Sequence, residues 1–331
     1  MKHVLVIRLS ALGDVAILAP VMRSYAVANP GVRFTVAGPP MLQPLFEGMA
    51  NVDYLGLKKR QPSKAIYKAL KSVGASEVAD LHVVNRVGRA LFLLKADAWL
   101  HGRPLKVCRL HKGRLSRWLF IHRLDRKPRK LQWQRYDDVF RRIGFPPAPV
   151  TPPSAGCPLS GKPIGVAPFA QHEGKIWPLE RTEALVRMLA ERGRRVILFG
   201  SKDEAPVLEG WVRRYQGVTS MAGRLPFAEE MAIIRDLALM VSMDSANMHF
   251  ASALGVPVVS VWGATHPDFG FYGYGQDRAN ALCANLPCQP CSAYGKKPCR
   301  YGDRRCMLAI TPEMVLEKIE AMFKNNIVNT Q

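Results

Sequence analysis

The sequence predicts an α/β protein built from two Rossmann-like domains with a cleft between them. Three observations carry this expectation. Short apolar runs alternate with segments of helical periodicity from one end of the chain to the other. The alternation is interrupted once, by a proline-rich stretch near the middle, and then restarts. The length of 331 residues exceeds the usual size of one domain, so two units of about 150 residues each are expected. The boundaries read as a first domain over residues 1–150, a second over 151–310 and a closing helix over 311–331.

Taken in order, His3 to Leu9 is a continuous apolar run of the kind found in a strand buried on both faces, and is expected at the centre of the first sheet. Ser10 to Asp14 reads as a tight turn and Val15 to Val27 as a helix, which puts Gly13 and Asp14 at the carboxyl end of that strand. Open parallel sheets bind their ligands at that end. Strands are expected at Arg33–Ala37, Val52–Leu55, Glu77–Leu81 and Lys106–Leu110, with helices at Ser63–Val73 and Gln132–Ile143. Phe145 to Pro163 contains seven prolines and is the natural linker.

The rhythm resumes with a strand at Ile164–Pro168, a polar loop Gln171–Pro178 containing Lys175, a helix Leu179–Arg192 and a strand Arg195–Gly200. Ser201–Glu204 leads into a helix that runs to Tyr215, and another helix covers Phe227–Arg235. The apolar run Leu237–Val241 stops at Ser242-Met243-Asp244, so Asp244 or Ser245 is expected to cap a helix carrying His249, with a further strand after Gly255-Val256-Pro257. Thr311-Pro312-Glu313 is a helix start with proline at its first position, and Met314–Phe323 continues it.

A composition of 48% hydrophobic and 22% charged residues is that of a soluble globular protein. The net charge of +21 is concentrated between Arg103 and Arg142. Such a run is either a solvated face or a surface for nucleic acid, an anionic membrane or a phosphorylated substrate. Arg8 and Asp14 interrupt the apolar amino end, no small-residue cleavage site follows, and no apolar segment reaches the roughly 18 residues of a bilayer span. A cytoplasmic location is therefore expected, with peripheral membrane contact left open. Of seven cysteines, Cys288, Cys291, Cys299 and Cys306 crowd together, a pattern that suggests zinc before disulfides, with free thiols in a loop as the other reading.

The helix start at Asp244 and Ser245 offers unpaired backbone N–H groups suited to a phosphate; equally, Asp244 is a plain cap and His249 a packed core histidine. Asp14 from one half, and Lys175, Glu204 and Asp244 to His249 from the other, together suit transfer of a group from a nucleotide donor to an acceptor hydroxyl. The carboxylate would take the hydroxyl proton and the cationic wall would stabilise the departing diphosphate. No G-x-x-x-x-G-K-[ST] is present, and no G-x-G-x-x-G follows the first strand, which disfavours a P-loop nucleotidase and a dehydrogenase. There is also no Asp-x-Asp pair to hold a divalent metal against a diphosphate.

Five motifs then occur in one order over nearly the whole chain: Leu9-Ser-Ala-Leu-Gly13-Asp14-Val15, Gly174-Lys175-Ile176-Trp177-Pro178, Gly200-Ser-Lys-Asp-Glu204, Asp244-Ser-Ala-Asn-Met-His249 with Ala253-Leu-Gly-Val-Pro257, and Ile310-Thr-Pro-Glu313. Together they resemble the lipopolysaccharide heptosyltransferases of glycosyltransferase family 9. The resemblance implies a GT-B fold and an inverting transfer that needs neither metal nor cofactor, with ADP-heptose as the usual nucleotide-sugar donor. It implies Asp14 as general base, Lys175 on the donor phosphate, Glu204 on the ribose and Asp244 on the sugar hydroxyls. The backbone at Ser245 and Ala246 would hold the diphosphate, with His249 supporting that loop. Gly13, and His82 and Arg86 of the segment Asp80–Arg86, would face an anionic lipid A–core acceptor at the cytoplasmic face of the inner membrane. Ala246 stands where the family often has glycine. The alternatives are a family member with another donor sugar, and a nucleic-acid-binding protein that uses Arg103–Arg142 with Trp118, Phe120 and Trp133 as stacking platforms.

Overall fold

The computed structural model describes residues 2–58, 60–147, 149–150 and 159–328, so most of the proline-rich stretch lies outside the described residues. In chain order the elements are β1 (Lys2–Ile7), α1 (Leu12–Ala28), β2 (Val32–Gly38), β3 (Val52–Gly56), α2 (Ser63–Lys71), β4 (Glu77–Asp80), α3 (Asn85–Leu100), β5 (Lys106–Arg109), α4 (Arg114–Ile121) and α5 (Gln132–Ile143). They continue with β6 (Ile164–Ala167), α6 (Leu179–Glu191), β7 (Val196–Leu198), α7 (Ala205–Arg214), β8 (Val218–Ser220), α8 (Phe227–Arg235), β9 (Leu239–Met243), α9 (Ala246–Ala253), β10 (Val258–Trp262), β11 (Ala281–Cys283), α10 (Arg305–Leu308) and α11 (Pro312–Val328). Two compact units result, Met1–Lys112 with Gln132–Thr151, and Gly113–Leu131 with Pro152–Gln331.

The first unit holds a sheet of strand order β3-β2-β1-β4-β5 in which every pair is parallel. Its central strand is β1, and Val4 to Ile7 are fully buried, as a strand covered on both faces requires. Helix α5 buries Tyr136, Val139, Phe140 and Ile143, one apolar stripe at helical spacing, and packs on α1. There Tyr25 stacks on Phe140 with ring centroids 4.2 Å apart.

The second unit repeats the design with the order β11-β10-β9-β6-β7-β8, again all parallel. Strands β6, β9 and β10 are buried along their whole length. The closing helix α11 packs on α6 and buries Val315, Leu316, Ile319 and Phe323 in the same core. In each sheet the strand order reverses beside the first strand, between β1 and β4 and between β6 and β9. Such switch points open a crevice at the strands' carboxyl ends.

Three features differ from the sequence expectation. Helix α1 begins at Leu12, so Gly13 and Asp14 lie in its first turn and not in a turn before it. Glycine is tolerated there because the first N–H groups of a helix have no partner one turn back. Helices α3, α4 and α10, and the short strands β8 and β11, come in addition to the elements expected. Lastly, the basic run from Arg103 to Arg142 is divided between the units, residues 113–131 grouping with the second. Many of its charges hold the chain together. In the first unit Lys106 Nζ donates to the Ile143 carbonyl (3.1 Å), Lys112 Nζ to the Val83 carbonyl (2.6 Å) and Arg142 Nη2 to the Arg109 carbonyl (2.7 Å). In the second, Arg123 donates to the Cys288 carbonyl (2.7 Å), Arg126 to the Gln289 carbonyl (2.8 Å) and Arg129 to Asp125 (2.8 Å).

Candidate functional site

In the first unit the crevice between β1 and β4 collects Arg8, Asp14, Asp80, His82, Arg109 and Lys112. Arg8 follows β1, and its guanidinium pairs with the Asp14 carboxylate and donates to the Leu81 carbonyl. Asp14 Oδ2 also accepts the Ala11 N–H (3.2 Å), and the Tyr136 hydroxyl of α5 donates to the Asp14 carbonyl (3.0 Å). The carboxylate is thus fixed at a strand end yet keeps 18% of its side-chain surface open to solvent. Asp80, at the end of β4, is fully buried and accepts from the His82 and Val83 N–H groups (3.1 and 2.8 Å) and from Arg109 Nε (2.9 Å). Bonded at both oxygens, this buried carboxylate acts as a post for its neighbours. His82 is buried, and its pKa is pushed down to about 4, first by that burial and then by the Arg8 charge, with Lys112 adding to the effect and Asp80 and Asp14 opposing it. Its imidazole is therefore neutral at physiological pH. Gly13 lies beside Asp14 in the same turn, and Arg86 is exposed in the first turn of α3.

In the second unit the loop after β6 and the loop after β9 meet at the other switch point. Lys175 Nζ lies 2.7 Å from Asp244 Oδ2 and 3.2 Å from the Asp244 carbonyl. Thr265 donates its hydroxyl to the same carboxylate oxygen (2.8 Å). The two motif residues are thus bonded to each other, both largely buried, although 69 positions separate them. Ser245 is the N-cap of α9, and its hydroxyl shares a hydrogen bond with Ser242 (3.0 Å). Ala246 occupies the first helical position, partly open, and His249 is buried in the same helix. The N–H groups of this first turn point out of the helix end beside the Lys175 ammonium, which together suit an anion. Glu204 stands immediately before α7 and accepts the Ser201 N–H through its carboxylate (2.7 Å).

The loop that carries Lys175 is clamped. The Gly174 carbonyl accepts the Ala264 N–H (2.8 Å), and the Ala264 carbonyl accepts the Cys291 N–H (2.8 Å), which ties the cysteine-rich loop to the same place. Beside it lies a cavity of about 650 Å³ lined by Gly174, Cys291, Lys296, Cys299, Arg304 and Cys306 among others; Lys175 and Asp244 do not line it. Burial raises the Cys291 thiol above its ordinary pKa, and it raises Cys306 to about 11, with the neighbouring sulfurs adding to both shifts. Cys288, Cys291, Cys299 and Cys306 are free, and among the described residues no group of three histidine, cysteine or acidic side chains is placed to hold a metal ion.

Arg8, Tyr136 and Thr265 were given no role by sequence, and Asp80 only a place in the acceptor-side segment Asp80–Arg86, though each bonds to a residue that was given one. For Arg8 the signal is present, since a charge that interrupts an apolar strand must find a partner. Thr265 lies just past β10, beside the strand ends that mark the crevice.

Residues 124–301, more than half of the chain, match the family described as glycosyltransferase family 9 (heptosyltransferase). The chain belongs to glycosyltransferase family 9. Within that family, lipooligosaccharide heptosyltransferase 2 of Haemophilus influenzae is 29% identical over 167 residues, which are 48% of this chain and 46% of that protein. The family 9 chain thus spans about half the length of the curated relatives it matches. Among solved structures, a family 9 glycosyl transferase from Veillonella parvula aligns with a TM-score of 0.73 at 19% identity, covering 98% of both chains. The ADP-heptose LPS heptosyltransferase II of E. coli aligns with a TM-score of 0.67 at 20% identity, covering 98% of this chain and 99% of that one. This likeness establishes the fold: the two parallel-sheet units of this family 9 member are those of the GT-B class.

Proposed function

We propose that this family 9 protein transfers heptose from ADP-heptose onto the core of a lipopolysaccharide, with inversion at the anomeric carbon and without a divalent metal. One observation carries the reading: the Lys175–Asp244 pair at the start of α9, where a cation, a hydrogen-bonding carboxylate and free helix N–H groups converge. The acceptor hydroxyl attacks the anomeric carbon from the face opposite the diphosphate, and the bond from that carbon to the diphosphate oxygen breaks. The hydroxyl proton passes to the Asp14 carboxylate, and ADP leaves with the electron pair. Lys175 and the backbone at Ser245 and Ala246 stabilise the charge that develops on the leaving group. Asp244 turns its free oxygen to the sugar hydroxyls, Glu204 reaches the ribose and His249 braces the helix. Gly13, His82 and Arg86 receive the acceptor, and the neutral His82 ring donates to it or accepts from it without adding charge.

An acceptor of this class is an anionic lipid, so we also propose peripheral contact with an anionic membrane at the cytoplasmic face. Among the described residues no helix is long and apolar enough to cross a membrane. Nucleic-acid binding is the weaker reading, because Arg109, Arg123, Arg126 and Arg129 of the basic run are engaged within the chain.

The test is a mass-resolved assay with ADP-heptose, other nucleotide sugars and truncated lipopolysaccharide acceptors, run with and without a chelator. A heptosylated product that survives the chelator is expected. A product with another sugar would replace the donor, and no product with any pair would sink the reading. Asp14→Asn should lower kcat by about 10²–10⁴-fold while ADP affinity stays within a few fold. Retained turnover would remove Asp14 from the base role.

A further inference from the structure

Helix α3 is apolar on two sides. Its inner side sends Val87, Ala90, Leu91 and Leu94 into the core of the first unit. Its outer side presents Phe92 (73% exposed), Leu93 (43%), Trp99 (76%) and Leu100 (73%) to solvent. Positions 92, 93, 96, 99 and 100 lie on one side of a helix over two turns, so these side chains form one stripe with Ala96 between them. Single exposed apolar residues are ordinary, whereas a contiguous stripe with two large aromatics marks a contact surface.

The charges around the stripe name the partner. Arg89 and Lys95 are exposed on α3 itself, and Arg103 is exposed just beyond its end. Helix α2 packs beside α3 and exposes Lys64, Lys68 and Lys71. On these two helices Asp97 is the one acidic residue, and it is paired with Lys71 at 2.7 Å. A tryptophan, a phenylalanine and two leucines bordered by cations are the composition of a helix that lies in the plane of a bilayer surface. The rings and leucines enter the boundary between headgroups and acyl chains, and the cations meet lipid phosphates.

We propose that the outer face of α3 docks this protein on the surface of an anionic phospholipid bilayer, with Phe92, Leu93, Trp99 and Leu100 inserted and Arg89, Lys95 and the α2 residues Lys64 and Lys68 on the phosphates. This deepens, and rests on, the membrane contact proposed above, and it moves that contact from the basic run to α2 and α3. The whole 331-residue chain is tested by flotation with vesicles of phosphatidylcholine alone or mixed with phosphatidylglycerol. The native chain is expected to float with the mixed vesicles, and F92S/W99S to lose at least about tenfold in vesicle affinity. R89Q/K95Q should lose affinity for the mixed vesicles and behave as native on phosphatidylcholine. Brominated lipids should quench the native tryptophan emission and should quench W99L markedly less, which reads insertion at one residue in a chain that keeps an apolar side chain there. Transfer to a detergent-dispersed acceptor should be unchanged in all three variants. Vesicle affinity unchanged in F92S/W99S, or a concentration-dependent dimer of the native chain that this variant abolishes, overturns the docking face. Flotation of the native chain in the absence of any heptosyl transfer would sink the transferase reading and leave the docking face standing.

Discussion

Burial and the Arg8 charge keep the His82 imidazole neutral in the folded chain, with a pKa of about 4 against an ordinary 6.5. The unfolded chain therefore takes up this proton first as the pH falls. The stability held above pH 6.5 is lost between about 6.5 and 4, and the loss levels off below that. The difference amounts to about 3 kcal/mol at its limit. Denaturant unfolding at pH 7 and at pH 4.5 should show the native chain losing about 2 kcal/mol more than His82→Gln over that interval. Parallel losses would mean that His82 is not held neutral by its surroundings. The same cluster explains what sequence reasoning could and could not reach at this scale. Asp14 and His82 were readable because each sits in a short motif at a strand end. Their partners Arg8 and Asp80 lie close by in sequence but were given no role of their own, and what local pattern does not specify is that β4 lies beside β1, which brings Arg8 to the Leu81 carbonyl and into the field of His82.

Among the elements, the loop that carries Lys175 is anchored at one end by the buried Trp177, whose indole donates to the Ile310 carbonyl (3.1 Å), and at the other by glycine. A Cβ on Gly174 would lie 2.9 Å from both the Ala264 Cβ and the Gly295 carbonyl oxygen, closer than real contacts allow. Gly295 has φ +74°, a left-handed conformation, and a Cβ there would lie 2.7 Å from Lys175 Cγ. Gly174→Ala must therefore move backbone on one side or the other, at a cost of about 1–3 kcal/mol. It should carry Lys175 away from Asp244 and weaken ADP binding. Gly31→Ala, where a Cβ would meet nothing within 4 Å, is the control. Calorimetric melting and ADP titration of the two variants check this, and matched values would show the clamp to be slack. Most of the elements themselves were legible: α5 and α8 run over the residues expected, and β1 is the central strand. Helix α3 was missed because apolar residues on both its sides blur the 3.6-residue period that a one-faced helix would show. Helix α4 was hidden in a run read for its charge. Lys175 and Asp244 were each legible in a motif, yet their bond follows from β6 pairing with β9, a neighbourhood that no local pattern specifies.

On the scale of the whole chain, each unit has its own sheet, its own core and its own crevice, and the polar groups are divided with them. Arg8, Asp14 and His82 belong to the first unit; Lys175, Asp244, Thr265 and α9 belong to the second. If the nucleotide is held by the second unit alone, ADP at a hundred times its Kd should stabilise that unit by about 2.7 kcal/mol. The effect must then separate by mutation. Asp14→Asn removes a charge from the first unit and should leave the ADP-induced rise in Tm as it is in the native chain. Lys175→Met removes the cation beside the α9 N-terminus and should abolish most of the rise, measured against the variant's own ligand-free Tm, which falls because Asp244 loses its ion pair. An oligonucleotide at physiological salt should give no rise in either protein, since binding through backbone phosphates weakens steeply as salt is added. Were Asp14→Asn to erase the ADP response as fully as Lys175→Met, the nucleotide would depend on both units, and the assignment of donor to the second and proton transfer to the first would fail.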